Sequence, residues 1–247
     1  DSFTFGMGIK NGNDAFPKVF ERLLNNHERD YNFEIINAGK KAYNTSQELG
    51  LLRTIGLALN PDLVMLGYYL NDTDPKGAIG TAFGGAPKFL EKIDKKLSQH
   101  FFSWYLFRTR FLPDLNEITQ NFNSMITSDK NFKIHEEVFS ELVYLLKEKE
   151  IQIIVVIIPP NCYPQQGDVS MVEKQLSHIR KLCNKYNIFP IDLEHVMEDL
   201  AYKYDCYDLV ASKYDSHPSA LVHQAYGEAI FNEFIANDMV KLMQTHQ

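Results

Sequence analysis

One stretch in the second half of the chain, Ile151-Gln152-Ile153-Ile154-Val155-Val156-Ile157-Ile158, is apolar at every position but one and stops at Pro159-Pro160. An unbroken run of this length, rich in β-branched side chains, fits a strand buried on both faces. Such strands belong to parallel sheets covered by helices on either side. Leu63-Val64-Met65-Leu66-Gly67, after Pro61-Asp62, is a second run of the same kind. Shorter extended segments are read over 33–37 and 188–193, and Pro190 assigns the latter to an edge, because proline cannot donate to a ladder.

The segments between these strands carry the helical period. Phe16, Val19, Phe20, Leu23 and Leu24 mark a helix over 15–26 with Asp14 as its N-cap. Thr45 and Glu48 have the spacing of a capping box for a helix over 45–59, with Leu49, Leu52, Ile55 and Leu59 inward. Further helices are read over 134–149, 169–186 and 194–202, and over 220–235, where Val222, Tyr226, Ile230 and Phe234 share a face. Strands alternating with helices and no internal repeat predict an α/β fold, a three-layer α/β/α sandwich around a central, mostly parallel sheet.

The length of 247 residues and a 45% hydrophobic composition suit one domain over 1–247. Residues 73–130 read as a mainly helical insertion. It begins as a Gly- and Pro-punctuated loop and continues into Phe101, Phe102, Trp104, Tyr105, Phe107, Phe111 and Phe122. Aromatics at this spacing are core before they are a ligand platform, yet the position also suits a lid or acyl pocket. A net charge of -7 offers no basic field, which excludes nucleic acid as the expected partner. Lys92, Lys95 and Lys96 alternate with Glu91 and Asp94 and read as a solvated face. Cys162, Cys183 and Cys206 form no CxxC pair, so zinc is not indicated, while one bridge plus a free thiol stays open. No apolar run approaches the roughly 20 residues that span a bilayer.

Four short stretches carry chemistry. Asp1-Ser2 lies ahead of Gly6 and Gly8, where a hydroxyl at a turn into a helix would be exposed with backbone N–H groups beside it. Gly39 follows the 33–37 segment, and Asn71-Asp72 follows the 62–67 strand. Asp215-Ser216-His217-Pro218 precedes the last helix. There the carboxylate orients the imidazole if the backbone turns, and Pro218 and Ser219 favour a turn. All four fall where strands end or helices begin, the edge at which parallel sheets bind ligands. A metal site from Asp215, His217 and His223 lacks a fourth ligand at regular spacing, and a glycosidase pair of Asp72 and Asp74 is better read as loop polar groups.

In this order, and over nearly the whole chain, the stretches resemble the SGNH (GDSL-type) hydrolases. Asp1-Ser2 is similar to the Gly-Asp-Ser block without its glycine, Asn37-Ala38-Gly39 to the second block, Gly67 to Asp72 to the Gly-x-Asn-Asp block, and Asp215 to Pro218 to the last, one residue shorter than in many members. The resemblance implies a flavodoxin-like fold and ester hydrolysis through an acyl-enzyme, with no metal and no cofactor. Ser2 is then the nucleophile, His217 the base and Asp215 its partner, with Ser2 N–H, Gly39 N–H and the Asn71 amide around the oxyanion. The substrate class is a small-molecule or glycan ester, with an O-acetyl group on a glycan as the expectation. A lysophospholipid or acyl-thioester substrate, and a non-catalytic acyl- or glycan-binding protein on the same fold, stay open as alternatives. The family's habits point to the cell envelope or to secretion. The family also begins with a strand that ends at the serine. That strand is expected upstream of residue 1, in a segment that is also the expected place for any membrane contact.

Overall fold

A computed structural model describes residues 1–74, 126–165, 169–213 and 215–244. Most of the insertion expected at 73–130, with its aromatics and the Lys92 cluster, lies outside the described residues.

Among the described residues three strands form the parallel sheet. β1 (Leu63–Tyr68) pairs with β2 (Gln152–Ile157) from Leu63 opposite Gln152 to Tyr68 opposite Ile157. β2 pairs with β3 (Phe189–Asp192) from Ile154 opposite Phe189 to Ile157 opposite Asp192. β2 is central, and Val155, Val156 and Ile157 are sealed from solvent, as its apolar run requires. Each such side chain contributes about 1.5–3 kcal/mol of burial. β3 lies at the described edge, which accommodates Pro190.

Two helical layers cover the sheet. On one side lie α3 (Thr45–Thr54), α4 (Asp129–Glu148) and α5 (Val169–Tyr186), with α4 and α5 both against β2. On the other, α2 (Phe16–His27) crosses α8 (Ala220–Ala236), which also meets α6 (Glu194–Lys203). A Cβ at Gly227 would come within 2.5 Å of the Val19 side chain, so the glycine sets how closely α2 and α8 approach. The described residues also form the short α1 (Ser2–Phe5) and α7 (Cys206–Leu209), the antiparallel pair β4 (Val210–Ser212) and β5 (Asp215–Pro218), and α9 (Met239–Gln244).

Four local expectations are corrected. α3 stops at Thr54 and a separate 3₁₀ turn, Gly56–Leu59, follows, so Ile55 and Leu59, read as inward, are exposed. Residues 33–37 alternate in exposure like a strand but join no ladder. Side chains of α2 serve in its place: Asn25 accepts from Phe33 N–H and donates to its carbonyl, Glu21 accepts from Ile35 N–H, and Lys18 donates to the Ile35 carbonyl. Asp14 does not cap α2. Ala15 holds the cap position, and the Phe16 N–H donates instead to Nδ1 of the buried His223. The capping box of α3 is Asn44 with Gln47, one residue ahead of Thr45 and Glu48. Thr45 has another partner, described below.

Candidate active site

A helix of four residues has no stability of its own. α1 is assembled from outside. The Asp1 carboxylate caps it, accepting from the Thr4 N–H at 3.0 Å and facing the Thr4 hydroxyl at 3.2 Å. Gly6 closes it in the left-handed conformation at φ 82°, which glycine adopts at no steric cost. Phe3 is buried and stacks on Tyr69, just past the end of β1, with ring centroids 4.0 Å apart. Asn37 donates to the Thr4 carbonyl at 2.8 Å. A Cβ at Gly39 would lie 2.4 Å from the Phe5 nitrogen, so only glycine lets this loop lie against the α1 backbone.

These contacts fix Ser2 at the first helical position, where its N–H has no acceptor inside the helix. Its Oγ lies 3.0 Å from His217 Nε2, and His217 Nδ1 lies 2.5 Å from Asp215 Oδ1. Asp215 Oδ1 also accepts from the His217 backbone N–H at 3.1 Å. Facing a carboxylate, Nδ1 carries the imidazole proton, which leaves Nε2 as an acceptor for the serine hydroxyl. The hydrogen bond from His217 holds the Asp215 carboxyl below the usual carboxylate range.

The two-residue spacing works by a means other than the expected turn. Asp215 and His217 lie in β5, and residues two apart on a strand face the same way. β5 is held by β4 through Val210 opposite Pro218 and Ser212 opposite Asp215, and by Asn161 Nδ2, which donates to the Ser216 carbonyl at 2.6 Å. Asn161 is a contributor that no motif announced. Its position just after β2 and Pro159-Pro160, at the strand's carboxyl end, is the signal that would have found it. Next to it, Cys162 is bridged to Cys206 of α7, which leads into β4, while Cys183 is a buried free thiol pushed up to about 12 by burial.

Asn71 lies in the 3₁₀ turn Leu70–Thr73 and donates from Nδ2 to the Tyr43 carbonyl at 3.0 Å, leaving its second amide hydrogen for another acceptor. The Gly39 N–H donates to Asn37 Oδ1 at 3.0 Å, so it reaches a ligand only by releasing that bond. His223 is joined to the cluster by no hydrogen bond among the described residues. Burial lowers its pKa to about 4, and its Nδ1 is taken by Phe16. Among the described residues no group of three or more His, Cys, Asp or Glu side chains is placed to hold a metal ion.

No family model and no curated protein matches the chain by sequence. Solved structures do match by fold. The acetyl xylan esterase AlAXEase superimposes with a TM-score of 0.59 at 13% identity, over 94% of this chain and 96% of that one. LAE5, an alpha/beta hydrolase enzyme from the metagenome of Lake Arreo, Spain, gives 0.58 at 13% identity, over 94% and 90%. A G-D-S-L family protein from Desulfitobacterium hafniense DCB-2 gives 0.57 at 16% identity, over 94% of each chain. The chain has the α/β fold of SGNH/GDSL-type hydrolases.

Proposed function

We propose that this protein is a serine esterase that cleaves carboxylic esters through an acyl-enzyme on Ser2. The observation that carries the reading is the continuous contact from Ser2 Oγ through the His217 ring to Asp215, over 3.0 and 2.5 Å. Ser2 Oγ attacks the ester carbonyl as its proton passes to His217 Nε2, and Asp215 stabilises the imidazolium that forms. The oxyanion is met by the Ser2 N–H and the second Asn71 amide hydrogen, with the Gly39 N–H joining if it leaves Asn37. His217 then protonates the departing alcohol, and water activated by the same nitrogen releases the acid.

Within esters, we assign an O-acetyl group on a glycan. Two points support this choice. His217 and Asp215 keep 20% and 30% of their side-chain surface exposed, so an ester carried on a larger molecule can reach them from solvent. A structural neighbour is an acetyl xylan esterase. A p-nitrophenyl ester series from acetate to octanoate tests the acyl group, and acetate release from acetylated xylan tests the glycan. Fastest turnover on acetate is expected, and preference for octanoate overturns the acetyl assignment. No turnover of any ester, with the protein folded, would leave a ligand-binding protein on the same scaffold.

A further inference from the structure

Behind the Asn71 turn runs a line of polar side chains that the proposed chemistry does not use. Asp72, Thr45 and His135 are 4%, 0% and 3% exposed, on the turn, α3 and α4 respectively. Thr45 Oγ1 lies 2.9 Å from Asp72 Oδ1 and 3.1 Å from His135 Nε2, and His135 Nδ1 lies 2.9 Å from Nε2 of the half-buried His178 on α5. The remaining Asp72 oxygen, Oδ2, accepts from the Tyr69 N–H at 2.6 Å.

Hydrogen counting leaves two arrangements. A hydroxyl has one hydrogen and a neutral imidazole one N–H, so, with the Thr45 hydrogen spent within the line where its two contacts are, Thr45 and His135 each donate on one side and accept on the other. If the hydrogens run inward, His178 donates to His135, His135 to Thr45 and Thr45 to an ionised Asp72. If they run outward, a protonated Asp72 donates to Thr45 and each group passes the bond on. The inward arrangement seals a carboxylate charge in the interior, where burial and the Glu48 carboxylate of α3 oppose it, while the Asp1 ammonium, 2.8 Å from Glu48, and the bonds from Tyr69 and Thr45 offset only part of that cost. The outward one buries no charge.

We propose that Asp72 is a protonated carboxyl, and that the outward chain from Asp72 through Thr45 and His135 to His178 positions the Asn71 turn against α3 and α4. Burial pushes Asp72 well above the usual carboxylate range and lowers His135 and His178 to about 3 and about 4, which agrees with a neutral chain. Glu136 and Lys181 are the charged groups facing His178. Two further bonds fasten the turn to the start of α3: Asn71 Nδ2 to the Tyr43 carbonyl and Asn44 Nδ2 to the Asp74 carbonyl. Asp72, Thr45 and His135 are thus positioning residues. The effect assigned to them on catalysis rests on the esterase reading, because it acts through Asn71.

Nitrogen-15 NMR of the histidine side chains in the wild-type protein tests the direction of the chain. The outward chain requires the Nδ1–H tautomer of His135 at neutral pH, and finding the Nε2–H tautomer overturns the proposal. Asp72→Asn separates the arrangements again. Its amide N–H replaces the carboxyl O–H toward Thr45 while its carbonyl still faces Tyr69, so the His135 tautomer is retained. An ionised Asp72 has no such stand-in. On an ester substrate, Asp72→Ala and Thr45→Val are expected to lower kcat roughly ten- to a hundredfold with a smaller change in KM, and Asp72→Asn to restore most of what Asp72→Ala loses. Asp72→Asn as damaging as Asp72→Ala overturns the proposal. If the wild-type protein turns over no ester, the esterase reading fails, while the tautomer of His135 still decides the relay.

Discussion

Asp215 and His217 stand on a strand of four residues with 30% and 20% of their side chains in solvent, and Ser2 stands on a helix of equal length. Asp72, Thr45 and His135, behind the same edge of the sheet, are nearly sealed. The exposed cluster tolerates an ionised carboxylate because water and an imidazole share its field. The sealed cluster has to remain neutral or satisfy every charge from within. Two polar clusters in one fold are therefore tuned in opposite directions: the Asp215 carboxyl sits below its ordinary range and the Asp72 carboxyl above it. The exposed cluster has the character of chemistry and the sealed one that of support.

Substitutions can break this contrast, beginning with the largest effect. Ser2→Ala and His217→Ala are each expected to lower kcat by roughly 10⁵-fold or more, and the double variant no further, since both serve one step. Steady-state turnover of an acetate ester measures this, and additive losses would separate the two roles. Asp215→Asn keeps the shape of the exposed cluster but removes the charge that fixes the histidine tautomer, with an expected loss of about 10³- to 10⁴-fold in kcat. Asn71→Ala should lower kcat roughly 100- to 1,000-fold with KM little changed. Full activity in that variant would free Asn71 of its assigned task.

Smaller effects sharpen the contrast through stability. Gly39→Ala forces a Cβ to within 2.4 Å of the Phe5 nitrogen and is expected to cost about 1–3 kcal/mol in denaturant unfolding. Acid probes the sealed side. Burial lowers His135, His178 and His223 to about 3, 4 and 4, against roughly 6.5 in an unfolded chain. Between pH 6.5 and 5 the unfolded state takes up protons at these three sites that the folded state refuses, so stability falls as pH falls. Asp72, raised by burial, works in the opposite sense as a single group and is outweighed. The urea midpoint should drop from pH 6.5 to pH 5, and a flat or rising midpoint contradicts neutral buried histidines.

The two clusters also differ in how far they could be read from sequence. Ser2, Gly39, Asn71, Asp215 and His217 each stand in a short local pattern beside a strand end or helix start, which marks them as candidates, while the roles proposed for them rest on the resemblance to the SGNH hydrolases. The orienting geometry is not legible in the local pattern, because a two-residue spacing suits a strand as well as a turn. The sealed cluster joins residues 27, 90 and 43 positions apart, and no local pattern marks such partners. Thr45 shows the cost of local reading. Thr45-Ser46-Gln47-Glu48 has capping-box spacing, yet the hydroxyl lies between Asp72 and His135 while Asn44 makes the cap. Residues 33–37 mislead for a similar reason. Their alternation is strand-like, but α2 side chains make the bonds of a ladder. The β1–β2–β3 sheet and the long helices were legible because their apolar periods are long, and their ends shifted by only a few residues.

A fluorophosphonate probe followed by peptide mapping tests the central claim most directly, since it reads the nucleophile and its activation together. One adduct is expected, on Ser2, in the wild-type protein and in Asn71→Ala at a reduced rate, with labelling abolished in His217→Ala. Labelling at another residue, or labelling of Ser2 that does not depend on His217, would contradict the account.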